Sequence, residues 1–244
     1  MAGVVEIYSP EGLRVDGRLW NELRHFSCKI NTHPGSADGS SYVEQGNTKV
    51  ICNVSGPAEP RLRSRQLQEK AFTTVKITVA PFSTTERRKQ GNSDRRIQEL
   101  AVTIKRVFDE AILTHLQPRS EIDIDLYVLA QDGGLIQACV NATSLALIDA
   151  GIPMYEYVAA CTAGAFDRET LLDLNNLEEN SLPFLTLATF GASDKLCLLQ
   201  LETKTQFERL ESMMAVAISG SHQIREMMDR EVRRHGRRRL EKIK

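Results

Sequence analysis

The sequence predicts an α+β fold, and three observations support this prediction. Stretches in which apolar and polar residues alternate predict one group of strands before residue 135 and a second group after residue 150. A helix with one apolar face interrupts the first group, and a nearly all-apolar helix separates the two groups. Short turns join neighbouring strands, which favours antiparallel pairing over repeated βαβ units.

The first group of elements begins with strands at about 22–30, 41–45, 48–55 and 71–80. Gly46-Asn47 is a typical hairpin turn, and Gly56-Pro57 ends that hairpin. A helix is predicted from about 95 to 116, because apolar residues recur on one face and Pro118 bars its continuation. A half-buried strand of alternating residues follows at about 122–128.

The second group of elements is introduced by the turn Asp132-Gly133-Gly134 and a central helix over 135–150. The strands that follow are predicted near 157–166, 170–174, 184–190 and 196–202. A long C-terminal helix comes next, and the segment from Thr205 to Glu208 has the spacing of a capping box at its start.

These patterns divide the chain into an extended arm at 1–20, a first half at 21–153, a second half at 154–222 and a basic C-terminal helix or tail at 223–244. No polar linker separates the halves where they meet, near residues 151–155. We therefore expect two sheet-and-helix halves in one compact domain.

The composition is that of an ordinary globular protein, with 244 residues of which 41% are hydrophobic and 26% charged. No apolar run reaches the roughly 20 residues that a membrane helix needs, and we expect no signal peptide at residues 1–6. The five cysteines are scattered through apolar segments without a CxxC pair. We expect them to be reduced and buried, without a structural zinc, in a cytosolic or nuclear protein.

The net charge of −1 conceals two basic segments. Residues 61–96 contain ten Lys or Arg against three acids, and residues 229–244 contain eight against three. Local concentrations of positive charge on an otherwise acidic chain indicate contact with a polyanion. The C-terminal segment is also compatible with a solvated helix end.

An acidic stretch follows the strand predicted near 170–174: Asp173 at its end, then Glu178 and Glu179. Carboxylates this close repel one another unless a cation or a proton lies between them, so the stretch suggests a metal site or an acid/base site. The alternative is a solvated turn after a strand.

Arg95 and Arg96 are predicted to open the first helix next to a cap at Ser93 or Asp94. Two arginines are unfavourable there unless an anion binds, so they indicate a phosphate contact or else a solvated turn. A second basic cluster, in the predicted loop, consists of Arg61, Arg63 and Arg65. It would contact a nucleic-acid backbone if it lined a groove, and would otherwise be plain surface.

Gly133 and Gly134 precede a buried helix and could cradle an anion through their backbone. The positions after them, where a phosphate site needs Ser, Thr, Arg or Lys, hold Leu135 and Ile136. The alternative is therefore a tight turn that serves only packing.

Several of these segments together resemble the ribonuclease PH family, over roughly residues 10–235. They are SADGSSYVEQGNTKV at 36–50, DRR at 94–96, PR at 118–119, QDGG at 131–134, DAGIPM at 149–154 and LDLN at 172–175. With YSPEGLR at 8–14, the chain is most similar to the members that form RNA-exosome rings and whose archaeal counterpart is catalytic.

The resemblance implies a ribonuclease PH-like fold, of the type seen in domain 2 of ribosomal protein S5, and a phosphorolytic 3′→5′ exoribonuclease. In this reaction phosphate attacks the terminal linkage of RNA and releases nucleoside diphosphates. Family members form six-subunit rings around a pore that threads single-stranded RNA. The resemblance assigns Arg95 and Arg96 to the RNA backbone and Asp173 to a catalytic carboxylate.

The chain departs from the pattern of active members at two places. A Thr or Ser and an Arg that would hold the attacking phosphate are replaced by Leu135 and Ile136, and Glu179 stands where a second Asp is expected. An unfixed phosphate loses both its charge-assisted bonds and its alignment. We therefore interpret Asp173 and Glu179 as vestigial, 133–136 as a degenerate phosphate site, and expect no metal and no cofactor.

On this basis we expect a non-catalytic exosome ring subunit that threads RNA toward an associated nuclease in ribosomal RNA processing and messenger RNA decay. The implied partners are other ribonuclease PH-like ring subunits, cap subunits of the S1/KH type, a hydrolytic 3′→5′ nuclease and single-stranded RNA, with no membrane. The expected location is the nucleus, the nucleolus and the cytoplasm. Two alternatives stay open: an active phosphorolytic exoribonuclease, and a free-standing homohexamer that acts on transfer-RNA ends.

Overall fold

The first half of the chain forms a five-stranded sheet. The computed structural model describes residues 13–60, 62, 66–85, 87, 94–166 and 169–243. The strands of this sheet are β1 (Phe26–Ile30), β2 (Gly39–Gln45), β3 (Thr48–Ala58), β4 (Phe72–Val79) and β5 (Glu121–Ala130). Their order is β1-β2-β3-β5-β4, and all pairs are antiparallel except β4 with β5. Helix α1 (Arg95–Ala111) makes the crossover that this parallel pair requires.

The second half forms a four-stranded antiparallel sheet with the order β7-β6-β8-β9. Its strands are β6 (Val158–Phe166), β7 (Glu169–Leu172), β8 (Phe184–Phe190) and β9 (Leu196–Leu201). A short helix, α3 (Asn176–Ser181), connects β7 to β8, and the long helix α4 (Phe207–Ile243) packs on β6 and β8.

Helix α2 (Leu135–Ala150) lies between the two sheets. Two of its buried polar side chains bond to β6 of the second sheet: Asn141 exchanges two hydrogen bonds with the backbone of Ala160, and Ser144 donates to the carbonyl of Val158. The first sheet also lies close to α2 at Gly39 of β2, where a Cβ would be only 2.2 Å from the carbonyl oxygen of Ala146. One buried apolar cluster includes residues of both sheets, so the halves share a core.

The predicted fold class is confirmed, with corrections at several elements. Helix α1 ends at Ala111 rather than near 116, and a separate 3-10 turn follows at Thr114–Leu116. Helix α3 was not predicted, because six residues are too few to show a periodic pattern. Helix α4 begins at Phe207, so Thr205 lies one residue before the N-cap position, and its hydroxyl instead donates to the carbonyl of Thr203.

The cysteines are all free, as expected, but only three of them are buried. Cys28 and Cys197 are partly exposed, because each lies on a strand at the edge of its sheet. Within the part of the chain that the structure describes, no helix is both long enough and apolar enough to cross a bilayer. The division of the chain at 20, 153 and 222 stays a prediction.

Candidate functional site

Asp173 lies directly after β7 and is completely buried. Its backbone has a left-handed φ of 53°, and its N–H donates to the carbonyl of Thr162 at 2.8 Å. The carboxylate accepts three hydrogen bonds, from the guanidinium of Arg24 at 2.8 Å, from the backbone N–H of Arg24 at 2.9 Å, and from the Gln137 amide at 2.6 Å. Burial raises the pKa of Asp173, but the charge and hydrogen bonds of Arg24 outweigh burial and hold that pKa below its ordinary value of 3.8.

Arg24 is buried as well, with 5% of its side chain exposed. Besides Asp173, its guanidinium donates to the carbonyls of Asp132, at 2.5 Å, and Gly133, at 3.4 Å. Gln137 completes the cluster, since its side-chain oxygen accepts from the N–H of Thr162 at 2.7 Å. The Asp173 carboxylate therefore joins the segment before β1, the start of α2 and strand β6.

Glu178 forms a second buried ion pair, with Arg14. The contact is bidentate: Nε of Arg14 donates to Oε1 of Glu178 at 2.8 Å, and a terminal nitrogen donates to Oε2. Both side chains are fully buried. Glu178 also forms a capping box with Asn175 at the start of α3, with two reciprocal bonds of 2.9 Å. Arg14 further donates to the carbonyl of Asp173 at 3.0 Å, which fixes the segment before β1 onto the end of β7.

Glu179, the third carboxylate, accepts a hydrogen bond of 2.6 Å from the backbone N–H of Gly134. Gly134 is the N-cap of α2, with a left-handed φ of 64°. As a glycine, it has no side chain that could cap the helix. The predicted anion cradle therefore holds a carboxylate of the protein itself. Burial raises the pKa of Glu179, although the bond from Gly134 and the charge of Arg24 act in the opposite direction.

A cleft with a volume of about 90 Å³ opens beside Gly134 and Glu179. Leu135 and Ile136, which follow the double glycine, line it. Among the residues that the structure describes, its charged lining consists of Arg96 and the three acids Glu99, Glu179 and Glu202. The described lining therefore carries more negative than positive charge, which opposes the entry of phosphate.

The two predicted arginines at the start of α1 have different surroundings. Of the two residues expected to cap α1, Ser93 and Asp94, Asp94 is the N-cap, and its carboxylate accepts a hydrogen bond from the N–H of Arg96 at 3.1 Å. Arg96 lines the cleft, whereas the Arg95 side chain is 91% exposed and pairs with Glu99 at 2.9 Å. The predicted contacts Arg61, Arg63 and Arg65 lie outside the described residues.

A divalent cation, one of the two options raised by the acidic stretch, does not fit these carboxylates. Both oxygens of Asp173 already accept from Arg24, and both oxygens of Glu178 accept from Arg14. A metal would have to displace a guanidinium and approach its positive charge. The described ranges also contain no group of three or more His, Cys, Asp or Glu that could hold a metal ion.

The sequence reasoning missed Arg14, Arg24 and Gln137. The acidic stretch was the signal that could have indicated them, because three carboxylates near a buried strand require cations. It could not indicate which cations, since Arg14 and Arg24 lie more than 140 residues earlier in the chain. Arg14 also ends the segment 8–14 that carried the resemblance. The alternative of a solvated turn is wrong, because Asp173 and Glu178 are fully buried.

Two family descriptions together match most of this chain. They are "3' exoribonuclease family, domain 1" over residues 22–153 and "3' exoribonuclease family, domain 2" over residues 156–220. The chain therefore belongs to the 3′ exoribonuclease family, which is the ribonuclease PH family.

Relatives of known name give a finer comparison. The chain is 47% identical to "Exosome complex component SKI6" of Saccharomyces cerevisiae, over 97% of this chain and 96% of the relative. It is 42% identical to "Exosome complex component RRP41" of Homo sapiens, over 97% of each.

Solved structures agree with this fold. Rrp46 of rice (Oryza sativa) superimposes with a TM-score of 0.78 at 29% identity, over 90% of this chain and all of that one. A chain of the Archaeoglobus fulgidus exosome with RNA bound to the active site superimposes with a TM-score of 0.75, over 89% of this chain and 93% of that one. Its identity of 21% supports the fold alone.

Proposed function

We propose that this protein is a non-catalytic core subunit of an RNA exosome ring, which binds and threads single-stranded RNA for 3′→5′ degradation by an associated nuclease. The names of relatives that are 42% to 47% identical over nearly their whole length support the exosome assignment. The observation that carries the lack of catalysis is that the protein's own groups occupy the site: Arg24 engages Asp173, and Glu179 engages Gly134.

Phosphorolysis requires a bound phosphate next to the scissile linkage. Among the described residues that line the cleft beside Gly134, the apolar side chains of Leu135 and Ile136 and three carboxylates face this anion, against Arg96 as the one cation. The N–H of Gly134 is already bonded to Glu179. An unaligned and repelled nucleophile forfeits most of the rate advantage of an enclosed site.

RNA binding is assigned to the exposed start of α1. Arg95 and Arg96 lie in its first turn, where the helix dipole and the guanidinium groups favour the same negatively charged backbone. Such contacts position RNA without reading its bases. Arg61, Arg63 and Arg65 extend this proposed surface from the sequence pattern alone.

The remaining parts of the proposal follow from the same assignment. The partners are other ribonuclease PH-like ring subunits, cap subunits of the S1/KH type and a hydrolytic 3′→5′ nuclease. The processes are ribosomal RNA processing and messenger RNA decay, in the nucleus, the nucleolus and the cytoplasm. The names of the relatives support membership of a multi-subunit complex.

An active phosphorolytic exoribonuclease is the second candidate, and one observation favours it. Glu179 combines a raised pKa with a place on the cleft, which are properties of a general acid. In this version a neighbouring subunit would supply the phosphate ligands that Leu135 and Ile136 cannot provide.

Incubation of the assembled ring, without its hydrolytic nuclease, with end-labelled RNA distinguishes the two candidates. We expect no nucleoside diphosphate with or without inorganic phosphate, and a matched amount of sulfate is the ionic-strength control. Phosphate-dependent release of nucleoside diphosphates that disappears in Glu179→Gln would establish the second candidate. The double variant Arg95→Glu/Arg96→Glu is expected to weaken RNA threading while the ring still assembles, and collapse of the ring would make these arginines structural.

A further inference from the structure

The basic C-terminal segment forms one wall of a surface groove. The other wall is β1 and the residues after it, 27–32. The helix wall consists of Glu231, Arg234, His235 and Arg238 of α4. Their spacing of three, four and seven residues places them on one face of the helix. The groove has two adjoining hollows of about 540 and 420 Å³.

Strand β1 is an edge strand, because it pairs with β2 on one side only. The N–H of Asn31 donates to the carbonyl of Ser40, and the N–H of Gly46 donates to the carbonyl of His25. Both contacts keep the register of the β1–β2 pair, in which hydrogen-bonded and unbonded positions alternate. The backbone N–H and C=O groups of residues 26, 28 and 30 therefore face the open edge of the sheet.

The groove combines this open edge with positive charge. Four cations, Lys29, Arg234, Arg238 and Arg239, line it together with His235. Among the described residues of the groove, the opposing carboxylates are Glu231 and Glu241, and Glu231 is already paired with Arg234 at 2.9 Å. The surplus of cations favours an anionic occupant.

We infer that the groove between β1 and the last turns of α4 binds an extended acidic segment of a partner protein, which adds a strand to β1. The open edge offers alternating donors and acceptors, which the backbone of an extended peptide matches at every second residue. Alternate side chains of that strand point toward α4, where Arg234 and Arg238 bind carboxylates. An edge strand next to a helix is a recurrent way to hold a peptide in this manner.

The same features disfavour RNA as the occupant. The described residues that line the groove include no Phe, Tyr or Trp on which a base could stack. A ribose-phosphate backbone has no N–H groups to match the exposed carbonyls of β1. The peptide therefore explains both walls of the groove, whereas RNA would use the helix wall only.

A binding assay with the full chain tests this inference. The probe is a fluorescein-labelled peptide of alternating Glu and Thr residues, and its binding is measured by fluorescence anisotropy. The double variant Arg234→Ala/Arg238→Ala is expected to weaken binding about tenfold or more, because two charge-assisted contacts are lost. The matched control is Arg230→Ala/Arg237→Ala, which removes the same charge from residues of α4 that do not line the groove and should change the affinity less than about twofold.

Two further probes separate strand addition from simple charge attraction. The same peptide, methylated at every second backbone nitrogen, is expected to bind about tenfold or more weakly, since it cannot donate to the carbonyls of β1. Equal binding of the methylated peptide, equal losses in both arginine pairs, or no saturable binding would overturn the inference. Tighter binding of oligouridylate than of the peptide, with the same dependence on Arg234 and Arg238, would assign the groove to RNA instead. None of these outcomes bears on phosphorolysis.

Discussion

Arg24 contacts the carboxylate of Asp173 twice, through its guanidinium at 2.8 Å and through its own backbone N–H at 2.9 Å. Because both the backbone and the side chain of Arg24 hold the Asp173 carboxylate, that carboxylate has little freedom to take part in chemistry. Asp173, to which the resemblance assigns a catalytic carboxylate, connects the two halves of this chain through Arg24 and Gln137.

The first prediction concerns the stability that this pair provides. Arg24→Ala leaves Asp173 buried without its cation, and we expect a loss of about 3–5 kcal/mol in the free energy of unfolding. Urea denaturation of the full chain, followed by circular dichroism, measures this loss. Arg95→Ala is the control, because its exposed pair with Glu99 contributes at most about 0.5 kcal/mol. Equal effects of the two substitutions would show that the buried pair is not structural.

The second prediction concerns the contact of Arg14 with Glu178. Arg14→Lys keeps the charge but cannot form the bidentate contact or reach the Asp173 carbonyl at the same time. We expect Arg14→Ala to cost about 3–5 kcal/mol and Arg14→Lys to recover only a minor part of that loss. A thermal-unfolding series measures both. If lysine restored full stability, charge alone rather than the planar fork would hold the segment before β1 in place.

The third prediction is a pH dependence that Glu179 introduces. Its pKa is higher in the folded chain than its ordinary value of 4.5, so the folded state binds the proton more tightly than the unfolded state. The stabilisation from this group is therefore fully present below pH 4.5 and is lost as the pH rises through the raised pKa.

Glu179→Gln removes this dependence but keeps an acceptor for the N–H of Gly134. We expect the variant to gain stability relative to the natural chain as the pH rises from about 4 to 8, measured as the difference between their unfolding midpoints. A difference that stays constant, or that changes in the opposite direction, would contradict the raised pKa.

The fourth prediction concerns the salt dependence of RNA binding by the assembled ring. Each phosphate contact with a single strand contributes about 0.7 to the slope of log K against log salt concentration. Arg95→Ala/Arg96→Ala should therefore weaken binding and make the slope shallower by about 1.4 if each arginine holds one phosphate. Arg230→Ala/Arg233→Ala on α4 is the control and should leave the slope unchanged. An unchanged slope in the first variant would remove these arginines from the RNA path.

The succession of elements could be predicted because local patterns determine it. The alternation in β5, the apolar face of α1 and the apolar α2 with glycine on both sides are visible within ten to twenty neighbouring residues. The short α3 escaped prediction, because its capping box of Asn175 and Glu178 lies inside a stretch whose charges suggested a metal or a turn. The interpretation of 133–136 as a degenerate phosphate site rests on residue type and stays a prediction, since the side chains of Leu135 and Ile136 have no group that can donate a hydrogen bond to an anion.

By itself, the sequence determined the fold class, the family resemblance and the position of the acidic stretch, because each depends on residue type and local spacing. Only the tertiary structure decided what the three carboxylates do. Asp173 meets Arg24 across 149 positions, Glu178 meets Arg14 across 164, and Glu179 meets Gly134 across 45. The reason is physical: a buried carboxylate requires a partner, but no local pattern in the chain indicates which distant arginine or backbone N–H folding will bring to it.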